Sequence, residues 1–282
     1  MSALALERDG RLVLLDCGEA AQLQLLRAEL RPTSRLDGVL VTHLHGDHVN
    51  GLPGLLGTMS LEGRERALTV AGPRGLAAYL EALGRAGVLN VGFPLELVEL
   101  SAPEEKFAVG GWSVTALPLD HRILTYGFAL DEPARPGTLD LGAALAAGVP
   151  SGPLLGQLKA GQPVTLADGR VVRPEGLVSP PHPGRRLAYV TDTRPCDAGV
   201  ALGAGAALLV HEATYPHARA ADARARGHAT SRQAAGIAAR AKAARLVLTH
   251  VSPSADPAEL LAEARDVFPA TELAADLAEI AL

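Results

Sequence analysis

Hydrophobic and polar positions follow two periods along this chain, and the switches between them mark its elements. Short apolar runs predict strands at 12–15, 39–42, 67–71, 95–100, 112–117 and 126–130. Apolar positions recurring every three or four residues predict helices at 20–30, 52–59 and 73–85, the last with Pro73 in its first turn, where a missing N–H is tolerated. The strands between 95 and 130 follow one another without helices, which predicts antiparallel pairing there. Alternation resumes with a strand from Leu187 to Val190 and strands at 206–210, 246–249 and 272–275, with helices at 231–242 and 257–267. Between these two stretches, residues 132–184 are broken by Glu-Pro, Arg-Pro-Gly, Pro-Ser-Gly-Pro and Pro-Pro-His-Pro-Gly. Such punctuation leaves room for a short helix and a hairpin around 163–172, so the segment reads as a flexible arm. The expected class is α/β: one domain spanning 1–282, each half supplying one sheet of a layered sandwich, with the arm inserted at about 132–184.

Composition narrows the function classes. A chain of 282 residues, 48% hydrophobic and 20% charged, is globular rather than disordered or collagen-like. Its two cysteines, Cys17 and Cys196, are far apart and imply no disulfide framework, as in a reducing compartment. The start, MSALALERDG, reaches charge at Glu7, and no apolar run approaches the roughly 18 residues of a membrane span. The expected location is the cytoplasm, with no membrane partner. A formal net charge of -5 gives no overall attraction for nucleic acid, so a polyanion would have to be drawn by a local basic patch or by bound metal. From Ser151 to Arg186, Lys159, Arg170, Arg173, Arg185 and Arg186 outnumber Asp168 and Glu175, which predicts a net positive arm.

The densest chemistry follows the strand at 39–42. His43, His45, Asp47 and His48 are four potential metal ligands within six residues. His43 and His45 alternate, so an extended backbone presents both imidazoles on one face, and a turn at Gly46 can send Asp47 and His48 to a second position nearby. Four ligands are too few for two metals, each of which takes three or four from protein. His121, Asp192 and His250 each follow an apolar strand and supply candidates for the remainder. His182 and His217 read as solvated loop residues. Thr230 with Gln233 three residues on fits a capping box at the start of the helix near 231, leaving that helix's positive end near the site.

The strand-terminal His-x-His-x-Asp-His motif resembles the metallo-β-lactamase superfamily. Further motifs make the chain similar to the bacterial ribonuclease Z family, which processes the 3′ ends of tRNA. These are Asp16-Cys-Gly18-Glu19, Gly51-Leu-Pro53-Gly54, Pro118-Leu-Asp-His121, Pro150-Ser-Gly152-Pro153 through Gly156, Thr191-Asp192-Thr193-Arg194-Pro195, His211-Glu212-Ala213-Thr214-Tyr215, His228-Ala-Thr230 and Leu248-Thr249-His250.

The resemblance implies a four-layer αββα sandwich with two zinc ions: His43, His45 and His121 on one, Asp47, His48 and His250 on the other, Asp192 bridging. It implies Asp47, Glu212 and His228 as catalytic residues, with Asp47 orienting the attacking water and His228 serving the leaving oxygen while Glu212 fixes its tautomer. The arm is implied as the tRNA-binding exosite, with Gly152, Pro153 and Lys159 as substrate contacts. The expected activity is zinc-dependent removal of 3′ trailers from precursor tRNA, leaving a 3′ hydroxyl at the discriminator, by a homodimer that acts on no DNA. The alternative is another binuclear-zinc phosphodiesterase of the same fold acting on cyclic nucleotides or small diesters, which would have no use for the arm. The family also implies a strand ending in a Gly-Thr turn some twenty residues ahead of this chain's start; its loss would uncover a sheet edge. After His250, Val-Ser-Pro-Ser-Ala-Asp replaces the family's Ser-Arg-Tyr type of ending.

Overall fold

The computed structural model describes residues 1–282, which form two compact units: Met1–Asp131 with Arg185–Leu282, and Glu132–Gly184. In the first unit, strands β1 (Leu4–Arg8), β2 (Arg11–Leu15), β3 (Leu36–Leu40), β4 (Leu68–Pro73) and β5 (Leu95–Leu100) form a sheet in that order. β1 and β2 are antiparallel and the rest parallel. A second sheet begins with β6 (Glu105–Val109), β7 (Trp112–Pro118) and β8 (Tyr126–Asp131); β9 (Val164–Thr165) and β10 (Val171–Val172) form a separate hairpin in the other unit. The second sheet continues with β11 (Arg186–Val190), β12 (Leu208–Glu212), β13 (Leu246–Thr249) and β14 (Thr271–Leu273), in the order β14-β13-β12-β11-β8-β7-β6. It is antiparallel from β6 to β11 and parallel from β11 to β14.

The period of two decides the layers. On β2, Leu12 and Leu14 pack with Leu52, Leu55, Leu56 and Met59 of the helix Leu52–Leu61, while Val13 and Leu15 join Leu40, Trp112, Phe128 and Tyr189 in the core between the sheets. On β11, Ala188 and Val190 face a third core with Leu202, Ala234, Ile237 and Ala238. Both faces of each sheet are therefore covered, and the central strands are continuously apolar, as buried parallel strands require. This is the four-layer αββα arrangement of the metallo-β-lactamase fold.

Several elements fall differently from the sequence reading. The helix expected from Pro73 starts at Leu76, because Pro73 completes β4. β5 pairs parallel with β4 in the first sheet, so of the strands between 95 and 130 only β6, β7 and β8 pair antiparallel, and the seam between sheets lies at 100–105 rather than midway. β1, β6 and the helices Pro32–Arg35, Asp197–Gly203 and Ala220–Arg226 add to the expected elements. β1 stands at one end of its sheet.

The unit Glu132–Gly184 has its own core: Ala144, Val149, Leu158, Val164 and Leu166 are buried. It holds two helices, Leu141–Ala146 and Pro153–Lys159, where the sequence predicted one. Its charge also differs from the prediction. Arg185 and Arg186 belong to the other unit, where the Arg186 guanidinium donates to both oxygens of Asp131 at 2.7 and 2.9 Å. Within 132–184, Arg135, Lys159, Arg170 and Arg173 are balanced by Glu132, Asp140, Asp168 and Glu175, so the arm is neutral by formal charge. Gly152 precedes the second helix at φ 138°, a backbone suited to glycine; Pro153 is its first residue and Lys159 its exposed last one.

Candidate metal centre

All seven predicted ligands converge at the C-terminal ends of β3, β11 and β13 and in the loop after β7. His43, His45, His121 and Asp192 bring one ligand atom each within 4.8 Å of one another, and so do Asp47, His48 and His250. Asp192 joins the two groups. Its Oδ2 lies 3.6 Å from His43 Nε2 and 3.9 Å from His121 Nε2, and its Oδ1 lies 3.3 Å from both His48 Nε2 and His250 Nε2. Asp47 Oδ2 is 3.5 Å from His48 Nε2 and 3.4 Å from His250 Nε2, and His45 Nδ1 is 3.0 Å from His43 Nε2. The short helix Gly46–Val49 turns Asp47 and His48 away from His45, as the glycine allows.

What lies behind the imidazoles decides which nitrogen faces the centre. Asp16, fully buried at the end of β2, accepts from the Thr42 amide and hydroxyl. Having donated its proton, the Thr42 hydroxyl accepts from Nδ1–H of His43 at 3.0 Å, and Asp16 Oδ2 takes Nδ1–H of His48 directly at 2.7 Å. Glu212 repeats the device. Its Oε2 accepts the Thr214 hydroxyl at 2.7 Å, that hydroxyl accepts Nδ1–H of His250 at 3.0 Å, and Oε1 takes Nδ1–H of His228 at 3.0 Å. The Gly227 carbonyl holds Nδ1–H of His121 at 2.8 Å; Gly227 sits at φ 85°, and a Cβ there would press on the His121 ring. In His43, His48, His121 and His250 it is thus Nε2 that is aimed inward, the arrangement that outer hydrogen bonds give to metal-ligating histidines.

Two of those nitrogens, His48 Nε2 and His121 Nε2, are buried without any hydrogen-bond partner. Buried polar atoms left without partners are costly unless something fills the gap between them, and a mixed set of imidazoles and carboxylates matches a divalent metal. The charges agree. Burial, then the neighbouring His48, pushes His43 down to about 2, and burial lowers His121, so both are neutral donors. Burial opposes charge on His48, but Asp16 and Asp192 overcome it and raise the ring to about 10. The hydrogen bond with His250 leads in holding Asp47 below the usual carboxylate range. Asp192 lies well below that range, since His48 and the charge of His250 outweigh the burial of its carboxylate. A neutral His43 and His121 beside ionised carboxylates can accept a cation as they stand, whereas His48, charged without one, would give up its Nε2 proton on binding.

Asp16, Thr42, Thr214 and Tyr189 are the residues of the site that reasoning from single side chains passes over. Asp16 entered the sequence reading only as the first residue of a family motif, with no role at the site. The Tyr189 hydroxyl donates to Asp16 Oδ2 at 3.1 Å and accepts from Ser2, whose amide in turn donates to the Asp47 carbonyl at 2.9 Å. Asp16, Asp192 and His250 have φ of 58°, 47° and 54°, conformations that side chains rarely adopt and that tertiary structure must enforce. Cys17 is buried, and burial with the adjacent Asp16 raises its thiol to about 12, which excludes it as a nucleophile. His217 is exposed, its Nδ1 3.1 Å from the Thr230 hydroxyl, and His182 lies in the other unit, bridged to Arg135. Thr230 and Gln233 form the expected capping box on the helix Ser231–Ala241.

Backbone closeness locks the ligand loop. Cys17 N donates to the His48 carbonyl at 2.8 Å and Gly51 N to the Cys17 carbonyl at 2.9 Å, and a Cβ on Gly51 would collide with the Gly18 carbonyl. Gly51→Ala is therefore expected to destabilise the protein by about 1–3 kcal/mol, measured by urea unfolding, because backbone rather than a side chain must move.

A family profile described as Beta-lactamase superfamily domain matches residues 11–140. Ribonuclease BN of Escherichia coli is 45% identical over 268 residues, covering 94% of this chain and 87% of its own length. Ribonuclease Z of Salinibacter ruber is 46% identical over 282 residues, covering 98% of this chain and 87% of its own. The chain belongs to the ribonuclease Z/BN family. Among solved structures, human tRNase Z, short form, superposes with a TM-score of 0.70 at 27% identity, covering 99% of this chain and 92% of that one. Ribonuclease Z/BN membership and the ligand geometry agree on a metal-dependent hydrolase. None of this family member's helices here is long and apolar enough to cross a membrane.

Proposed function

We infer that the chain is a zinc-dependent endoribonuclease that removes 3′ trailers from precursor tRNA, leaving a 3′ hydroxyl at the discriminator. The observation that carries this reading is the pairing of two ligand groups through Asp192 with a Glu212-held imidazole, His228, at their edge. His228 rings lie 5.3 Å from His121 and 5.5 Å from His250, centroid to centroid, the latter stacked.

Bound at the two groups, a pair of zinc ions would acidify the attacking water and neutralise charge on the phosphodiester. The chain's own residues do the rest. Asp47, 43% exposed, has carboxylate surface open to solvent and can orient the water. His228 spends Nδ1–H on Glu212, so its Nε2 is the nitrogen that serves the leaving 3′ oxygen. Glu212 is fully buried and acts through His228 and His250 rather than on the substrate; it is a positioning residue. Cytoplasmic location and a homodimer complete the proposal, supported by the family resemblance.

We assign tRNA holding to the inserted unit 132–184, with Gly152, Pro153 and Lys159 at its surface. A neutral unit would hold RNA by shape and a few phosphate contacts rather than by field. Replacing 133–183 by a short Gly-Ser linker is expected to raise KM for precursor tRNA by about 10²-fold, the scale at which a second binding surface adds to affinity, while hydrolysis of bis(p-nitrophenyl) phosphate persists. Equal losses on both substrates would remove this role. Offering the intact protein precursor tRNA and a cyclic nucleotide in parallel tests the activity itself: turnover of the nucleotide with the RNA left intact would move it to the small-diester phosphodiesterases.

A further inference from the structure

Beside the ligand groups lies a cleft of about 430 Å³ that none of the assigned roles uses. Its walls are Asp120, Arg194, Pro195, Ala221, Arg224 and Gln233, and His228 stands at its border with the metal centre. The walls continue directly from that centre, since Asp120 precedes His121 and Arg194 follows Asp192 by two residues.

The polar groups are arranged for a flat, edge-bearing ligand rather than a bare anion. Arg194 is immobilised: its Nε donates to the Arg224 carbonyl at 2.7 Å and its Nη1 to Asp120 Oδ1 at 2.9 Å, so its charge is matched. The Arg194 amide also donates to the Asp120 carbonyl at 2.8 Å, tying the two walls together. The Arg224 guanidinium, in contrast, is exposed and makes no hydrogen bond or ion pair within the chain. Gln233 uses its Oε1 on the Thr230 amide, which leaves the side-chain NH₂ as its free end. Pro195 and Ala221 supply apolar wall. A volume in the ~300–1,000 Å³ range of small-ligand sites, with an apolar wall, a free guanidinium and amide and carboxylate edges, fits a nucleobase with its sugar.

Position selects which nucleotide. His228 serves the leaving 3′ oxygen, and the sugar bearing that oxygen must lie next to it. We propose that this cleft receives the nucleoside that carries the leaving oxygen, with Arg224 lying against its base. The proposal rests on the processing activity inferred above and names the subsite in which that activity holds the last retained nucleotide.

The test uses metal-loaded full-length protein and two precursor tRNAs that differ only in an abasic discriminator. On the ordinary precursor, Arg224→Ala is expected to lower kcat/KM about tenfold, the scale of one base-stacking contact, and on the abasic precursor by less than about twofold, because the contact is already gone. Arg224→Lys should fail to restore cleavage, since an ammonium cannot lie flat on a base. Ala221→Trp, which fills the cleft from an exposed helix position, should reproduce the loss. Equal losses on both precursors, full restoration by lysine, or unimpaired cleavage by Ala221→Trp would each overturn the assignment. Wild-type cleavage of the ordinary precursor stands as a separate result, so failure of the subsite leaves the processing activity intact, and an uncut precursor would reject both.

Discussion

Replacing Asp192 with alanine is expected to abolish metal retention and RNA cleavage together. Asp192 is the one side chain that faces both ligand groups, Oδ2 toward His43 and His121 and Oδ1 toward His48 and His250. It is 3% exposed and held at φ 47° at the end of β11. Without it, His43, His45 and His121 converge with no carboxylate among them, and Asp47 alone remains beside His48 and His250. Altering a residue that merely supports a ligand costs about 10–100-fold in metal affinity, so losing the shared ligand should exceed that range. Metal analysis of dialysed protein measures the retention and a 3′-extended precursor tRNA the cleavage. Asp192→Asn, which keeps the volume and tolerates the left-handed backbone, separates ligation from folding. Full cleavage with metal lost would contradict a metal-dependent mechanism.

His228→Ala should do the opposite: turnover falls roughly 10²–10⁴-fold, the scale of general acid–base catalysis, while metal stays bound. His228 also shares a possible ligand group with Asp192 and His250, but the other seven residues complete both groups without it. Glu212→Gln should differ again. Its two oxygens support His228 directly and His250 through Thr214, so both turnover and metal affinity should decline. Loss of metal on His228→Ala would show that this ring is a ligand.

The strands and the ligand order were legible because period-two apolar runs end in polar residues whose types are rare in such density. The run from β3 into His43 and His48 needed only that pattern; His121, Asp192 and His250 also follow apolar strands, but it was the family motifs that singled them out as ligands. Elements whose sequence lacks it were harder to see. β6, Glu-Lys-Phe-Ala-Val, is a half-exposed edge strand with charged residues on it, and the helix Ala220–Arg226 is mostly alanine and arginine with one buried residue, Ala223. The core inside 132–184 was hidden because Gly and Pro dominate while its apolar residues, Ala144, Val149, Leu158 and Leu166, are scattered and become neighbours only in three dimensions. Distance in sequence likewise concealed the links from Asp16 to Thr42 and His48, and from the neighbours Glu212 and Thr214 to His228 and His250. Each hydroxyl and carboxylate is ordinary alone, and only the fold shows that both relays end on a ring nitrogen.

The central claim is tested most directly by incubating the purified protein with a 3′-extended precursor tRNA, with and without a chelator, and mapping the new 3′ end. The account predicts cleavage that stops with the chelator, returns with added zinc, and leaves a 3′ hydroxyl at the discriminator. Cleavage indifferent to the chelator, or an end elsewhere in the RNA, would contradict it.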